Sequence, residues 1–296
     1  MCVVSLSPIG AENERQRQSS VEEGLLEGAD KTTFDSPGRG LVQTLKVLFQ
    51  PGAVVELRAF RGRETVSGYY DDHAALACEA SKLDERDYAV YVTLNEVDPA
   101  LLARASNRIR KVYREPTTSD GDIVRRRWLP LDFDPARPSG VSATDAEKRA
   151  AKERALQVRD FLGERGWAEP VVADSGNGYH LLYRVDLPND QESLELVKGI
   201  LQSLAFRFDD DRVKVDTTTS NAARIWKLYG TTARKGDDTQ ERPHRLSKLL
   251  KVPEGGLVCM VVDRDKLAAL AATRASSQVM SVGASILAVR DSRGAI

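Results

Sequence analysis

From Leu41 onward the chain switches repeatedly between two hydrophobic periods. LVQTLKVLFQ (41–50) gathers its apolar residues on one helical face, whereas AVVELRAF (53–60) alternates at the period of a strand. GRETVSGYYDD (62–72) reads as a turn and a second strand, HAALACEASKL (73–83) as a helix and YAVYVTLNEV (88–97) as a strand. A basic, irregular stretch over 100–118 precedes RRRWLPLDFDP (125–135), a strand that runs into a proline-marked turn. Thr144 and Glu147 form a T-x-x-E capping box that opens a helix to about Leu162. EPVVADSGNGYHLLYRV (169–185) folds back on itself around Gly176-Asn177-Gly178 as a hairpin. Asn189 or Asp190 caps a further helix whose Leu194, Val197, Leu201 and Leu204 keep helical spacing. RVKVD (212–216) is a short strand, and 252–272 has the pattern of a closing strand and helix. This order implies an α+β fold with a mostly antiparallel central sheet. Residues 1–39 are polar and rich in Ser, Glu and Gly, and 273–296 carry no firm pattern; both ends are expected to be disordered or flexible.

Charge sharpens this picture. The 296 residues carry a net charge of −1, so the chain as a whole is no polybasic binder. Its charge is nevertheless segregated: 1–36 hold three Lys/Arg against seven Asp/Glu, 101–128 eight against three, and 212–251 ten against four. Two basic segments in a neutral chain point to a local anion site, or to two solvated faces. Three cysteines, Cys2, Cys78 and Cys259, form no CxxC pair, which argues against a zinc ribbon or a disulfide framework and fits the reducing cytoplasm. The opening MCVVSLSPIG has no basic n-region and too short an apolar run to read as a signal peptide, no stretch approaches the roughly 20 apolar residues of a membrane helix, and the sequence contains no GxxxxGK[ST] run.

The chemistry sits in three short stretches. In a strand, alternate residues share a face, so WLPLDFDP sends Leu129, Leu131 and Phe133 one way and Asp132 and Asp134 the other. Two carboxylates side by side repel, and a divalent cation is one solution; a solvated pair, or pairing with Arg137, is another. VKVD repeats the device: Val213 and Val215 face inward, Lys214 and Asp216 outward. Asp216 is either a third carboxylate for an oxygen-rich Mg²⁺ or Mn²⁺ site or a turn residue. His180, one of three histidines, follows the glycine turn directly. It suits a hydrogen bond to a phosphate oxygen, a metal, or a satisfied place in the core. Ser175 adds a hydroxyl, and Gly176 and Gly178 let a backbone approach a phosphate closely. Arg224, Lys227, Arg234 and Lys235 then supply cations within twelve residues, followed by Arg242 and Arg245. For Arg234 and Arg242 a solvated basic face is as good a reading, and His244 has no clear role.

Asp132-Phe133-Asp134, Gly178-Tyr179-His180 and Val215-Asp216 stand in the order D-x-D/E, small-x-His and hydrophobic-Asp. Together with Arg-x-x-Lys and Lys-Gly after them, they resemble the archaeo-eukaryotic primase (AEP) superfamily. Within it they look like the PrimPol branch of phages and mobile elements, over about residues 41–272. The resemblance implies a catalytic core with an RRM-like, mostly antiparallel sheet and a smaller N-terminal α/β unit. It places that core at 40–272, with the α/β part at 40–125 and the RRM-like part at 126–272. Asp132, Asp134 and Asp216 would hold two Mg²⁺ or Mn²⁺ ions. Ser175, His180, Arg224, Lys227 and Lys235 would bind the nucleotide, and a 3′-hydroxyl would attack the α-phosphate and expel pyrophosphate. The implied partners are a single-stranded DNA template, NTP or dNTP, and no membrane. A chain that stops soon after the core is expected to work with a separate replicative helicase or to be a piece of a longer primase-helicase.

Two other classes compete with the expected DNA primase-polymerase. The basic segments alone would suffice for a non-catalytic module that binds single-stranded nucleic acid. The carboxylates alone would suffice for a metal-dependent phosphodiesterase, which the triphosphate-suited Lys/Arg set disfavours.

Overall fold

A computed structural model describes residues 37–254 and 261–273 of the chain. It is an α+β protein with two main antiparallel sheets. The assignments of 1–36 and 274–296 as flexible ends lie outside the described residues. At its inner edge the N-terminal assignment changes, because the first helix, α1, spans Pro37–Leu48 and takes in 37–39. Proline is tolerated in the first turn of a helix, so PGRG (37–40) opens α1 instead of preceding it.

The first sheet is built from β1 (Val55–Arg61), β2 (Glu64–Tyr70), β3 (Ala89–Thr93) and the short β5 (Arg110–Lys111), with α2 (His73–Glu85) between β2 and β3. Asp72 caps α2 by accepting from the backbone N–H groups of Ala74 and Ala75. One face of this sheet, with Leu57, Ala59, Val66, Val90 and Val92, packs on Leu41, Leu45, Leu76 and Leu83 of the two helices. The opposite face carries Arg58, Phe60 and Tyr91, all half-buried.

The second sheet is centred on β6 (Ile123–Pro135) and β8 (Tyr179–Pro188). On the far side of β8 lie β7 (Val171–Asp174) and then β13 (Lys248–Lys251), and β6 is flanked by β4 (Glu96–Val97) and β9 (Val213–Val215). Two helices, α3 (Asp145–Gly163) and α4 (Gln191–Phe208), and a closing helix over 264–273 cover one face. That core contains Leu129, Leu131, Phe133, Leu181, Ile200 and Leu204. The other face sends Leu182, Val171 and Ala173 into the core of the first sheet. The sheet is therefore buried on both faces, which is why LPLDFDP and HLLYRV read as nearly continuous apolar runs.

Sequence and structure differ on how the two halves divide. The boundary at 125/126 does not separate the sheets. β4, from the first part, pairs with β6, and β10 (Ile225–Lys227), from the second part, forms the edge of the first sheet against β3. The two halves are laced together by these exchanged strands. The expected closing strand survives as one bridge, Val261 to Arg184, and residues 255–260 lie outside the described set.

Candidate functional site

Three local devices bring the acidic groups together. The β6–β8 register puts Asp132 directly opposite His180, and the β6–β9 register puts Phe133 opposite Val215. The Asp216 backbone N–H then donates to the Asp132 carbonyl at 2.9 Å, which lays the third acid beside the first. The alternation expected along β6 is present: Leu129, Leu131 and Phe133 are fully buried, while Asp132 and Asp134 are half-exposed.

The turn after β7 is held by its own residues. Gly176 sits at φ +92, and a Cβ there would lie 2.4 Å from the Ala233 Cβ. A Cβ on Gly178 would stand 2.3 Å from the Phe133 carbonyl oxygen, so this turn can lie against β6 only with glycine at that position. The Ser175 hydroxyl accepts from the Gly178 N–H at 2.8 Å, and the buried Asn177 accepts from the Ala143 N–H at 2.8 Å.

His180 is the best-fixed group in the site. It is 4% exposed, its ring lies tilted against that of Trp226 with centroids 4.3 Å apart, and its Nδ1 lies 2.7 Å from the Tyr229 hydroxyl. Trp226 Nε1 donates to the same hydroxyl oxygen at 2.8 Å. An indole N–H can only donate, so the tyrosine hydrogen is left to go to His180 Nδ1. The imidazole proton is thereby assigned to Nε2, which faces Asp132 Oδ1 at 3.4 Å. Burial pushes the Asp132 carboxyl up, but His180, Lys235 and Arg137 outweigh it and hold the carboxyl below the usual range.

The basic side comes from the first sheet and the loops after it. Lys227, on β10, is 7% exposed; its ammonium donates to the Thr232 carbonyl at 2.8 Å and lies 5.6 Å from the centre of the Tyr91 ring. Burial brings this ammonium down to about 7. Lys235 is exposed. Arg224 donates to the Thr218 carbonyl, and its Nε is buried with no partner. Such an orphan donor invites a ligand or a water.

All eight residues expected for the site, Asp132, Asp134, Asp216, Ser175, His180, Arg224, Lys227 and Lys235, line one cavity of about 170 Å³. A wider cleft of about 550 Å³ adjoins it, shares Asp134, Asp216 and Lys235, and adds Arg137 and Lys214. Other cations of the same segment are committed elsewhere. Arg234 lines the cavity but is tied to Asp84 of α2, Arg242 binds both oxygens of the capping-box Glu147, and Arg245 pairs with Asp145. His244 Nε2 contacts the Gly236 carbonyl at 2.9 Å.

The carboxylates are not yet arranged around a common point. Among the described residues no three His, Cys, Asp or Glu groups stand close enough to ligate one ion. Arg137, its side chain 5% exposed, engages both oxygens of Asp134 at 2.8 and 3.1 Å. Asp216 accepts from the Thr218 N–H at 2.8 Å, so it also caps the turn that follows β9. The donor set is all hard oxygen and suits Mg²⁺ or Mn²⁺, but an ion at Asp134 has to displace or share with Arg137.

Sequence reasoning missed Tyr91, Asn177, Thr219 and Trp226 in the cavity wall, and Tyr229 behind His180. Tyr91 arrives from the other sheet, where nothing in AVYVT marks it. In sequence Asn177 reads only as a turn residue.

No family model matches the chain, and no curated protein matches it. Among solved structures the chain is similar to the crystal structure of primase RepB′, with 13% identity and a TM-score of 0.45, over 87% of this chain and 70% of that one. None of the described helices is long and apolar enough to cross a membrane.

Proposed function

We propose that the chain is a metal-dependent nucleotidyltransferase that makes or extends a nucleic-acid strand on a single-stranded DNA template, in replication of a phage or mobile element. The observation that carries this reading is the meeting of eight residues from three separate stretches, three of them carboxylates and three of them Lys or Arg, in one cavity. Asp132, Asp134 and Asp216 would hold Mg²⁺ or Mn²⁺. Two such ions supply charge neutralisation at the attacking and leaving oxygens of phosphoryl transfer. His180, held by Tyr229 and Trp226, presents Nε2–H at the acid side of the cavity, where it can donate to a phosphate oxygen. Lys227, Lys235 and the unpartnered Nε of Arg224 neutralise the triphosphate, and Gly176 and Gly178 hold the turn that carries Ser175 and Asn177 against the site.

The Arg137–Asp134 pair favours a second reading, a module that binds single strands without catalysis, because a guanidinium already compensates that carboxylate. One experiment separates the two. Purified protein is incubated with single-stranded DNA, Mg²⁺ or Mn²⁺ and labelled nucleotides, with and without a primer, beside Asp132→Ala. The proposal expects labelled product and pyrophosphate from wild type, and a loss on the order of 10³-fold in the variant. Product without primer identifies a primase; extension only identifies a polymerase. Silence in both, with strand binding intact, favours the binding module. Release of nucleoside monophosphate from DNA would indicate a phosphodiesterase.

A further inference from the structure

The basic segment over 101–128 plays no part in the cavity just described, and the structure sorts its eight cations into two groups. Five serve the fold. Arg104 binds the Tyr69 hydroxyl and lies 3.7 Å from Asp122, Lys111 pairs with Glu64, and Arg125 and Arg127 share Asp186. Arg126, almost fully buried, donates to the Ser220 carbonyl. The remaining three, Arg108, Arg110 and Arg114, make no ion pair or side-chain hydrogen bond among the described residues. Arg110 belongs to β5, the edge strand of the first sheet, Arg108 and Arg114 lie to either side of it, and Tyr113 stands among them at 79% exposure, the most exposed large apolar side chain among the described residues. Glu115, the acid within this group, spends its carboxylate on the backbone N–H groups of Tyr113 and Arg114 and so fixes the segment.

The sheet register links this edge to the cavity. Lys227 pairs with Tyr91, Tyr91 with Arg58, Arg58 with Ser67, and Ser67 with Arg110. Residues opposite one another share a face, so this is a single row across five strands, about 19 Å long at the usual strand spacing. Lys227 and Tyr91 line the cavity at one end, and Arg110 stands at the exposed edge.

We infer that Arg108, Arg110, Tyr113 and Arg114 form a docking surface for single-stranded nucleic acid at the outer end of this row, whose middle members Arg58 and Ser67 are tied to the buried Glu56. Charge complementarity chooses the occupant: cations that make no ion pair match a phosphate backbone, and an exposed ring among them is a stacking platform for an unpaired base. A duplex offers its phosphates but not its base faces. Only the purpose of the strand, as template, rests on the proposed function; the surface itself does not.

The test is fluorescence anisotropy of a labelled oligothymidylate against the full chain over a series of salt concentrations. Tyr113→Ala should weaken binding by about 5- to 100-fold. The triple variant Arg108→Gln, Arg110→Gln, Arg114→Gln should also lower the slope of log K against log salt by about 2. Arg149→Gln, which removes an exposed charge from α3, is the control and should bind as wild type does. Circular dichroism establishes that each variant is folded. Asp132→Ala should bind the strand normally, so failure of the catalytic reading leaves this one standing, and the reverse. The inference is overturned if wild type does not bind the oligonucleotide, if Tyr113→Ala and the triple variant bind it unchanged, or if Arg149→Gln loses as much affinity. Tighter binding to a duplex, with Tyr113→Ala without effect, overturns it as well.

Discussion

The acidic and basic walls of the cavity are built by opposite means. Asp132 and His180 sit opposite one another on the two long strands β6 and β8, and the ladder fixes their relative position. The cations sit on short strands and loops: β10 and the two-residue β11 (Thr232–Ala233), which precedes Lys235. The acidic wall is therefore positioned by register, and the basic wall by burial and individual hydrogen bonds. A site that must hold fixed charges at one end and admit a mobile, highly charged ligand at the other gains from this asymmetry.

Lys227 is where the difference can be pushed hardest. Burial brings its ammonium down to about 7 in the folded chain, from the 10.5 of a solvated lysine. Below about 7 it is charged in both folded and unfolded states, and its burial costs on the order of 5 kcal/mol. Between about 7 and 10.5 only the unfolded state holds the proton, so stability rises with pH across that window. Lys227→Met should then stabilise the protein by about 2–4 kcal/mol at neutral pH, with the gain shrinking as pH rises, while nucleotide binding weakens. Denaturant melts over a pH series check it, and a destabilised variant would show the lysine to be structural.

Gly178→Ala attacks the acidic wall through its backbone. Its Cβ would meet the Phe133 carbonyl oxygen, so the turn must lift off β6 at a cost of about 2–3 kcal/mol, seen as a fall in Tm. An unchanged Tm would mean that the turn does not clamp the two strands together. The smallest effect belongs to the support behind the histidine. Tyr229→Phe removes the hydrogen that fixes the His180 tautomer and should cost about 1 kcal/mol or a little more. Long-range ¹⁵N–¹H spectra should show the Nε2–H form of His180 in wild type and a mixture in the variant. An Nδ1–H form in wild type would contradict the assignment.

What could be read from sequence follows the same division. The T-x-x-E box at Thr144 predicts the start of α3 to the residue, because both halves of the cap are local. The alternation in LPLDFDP predicts which side the two aspartates take, because strand geometry is local too. For α4 the sequence left Asn189 and Asp190 as alternatives. Asp190 makes the cap, while Asn189 donates to the Asp120 and Ile123 carbonyls. The buried stripe of α4 also includes Ile200 and two serines, whereas Leu194 is only half-buried, since the closing helix covers part of its surface. What sequence could not supply is partnership at a distance. That β10 completes the other sheet, that Tyr91 reaches the cavity from it, and that Arg234 and Arg242 are taken by Asp84 and Glu147 are facts of long-range pairing. No periodicity encodes them.

We propose that Asp132, Asp134 and Asp216 hold divalent metal once a nucleotide arrives, with Arg137 giving way. Electron paramagnetic resonance of Mn²⁺, titrated with the protein in the presence of a non-hydrolysable nucleotide, tests it directly. The account predicts two bound ions in wild type, none retained tightly in Asp132→Ala, and tighter binding of the first ion in Arg137→Ala, where Asp134 is free. Wild-type protein that binds no Mn²⁺ beyond what the nucleotide alone chelates, with Arg137→Ala no different, would contradict it.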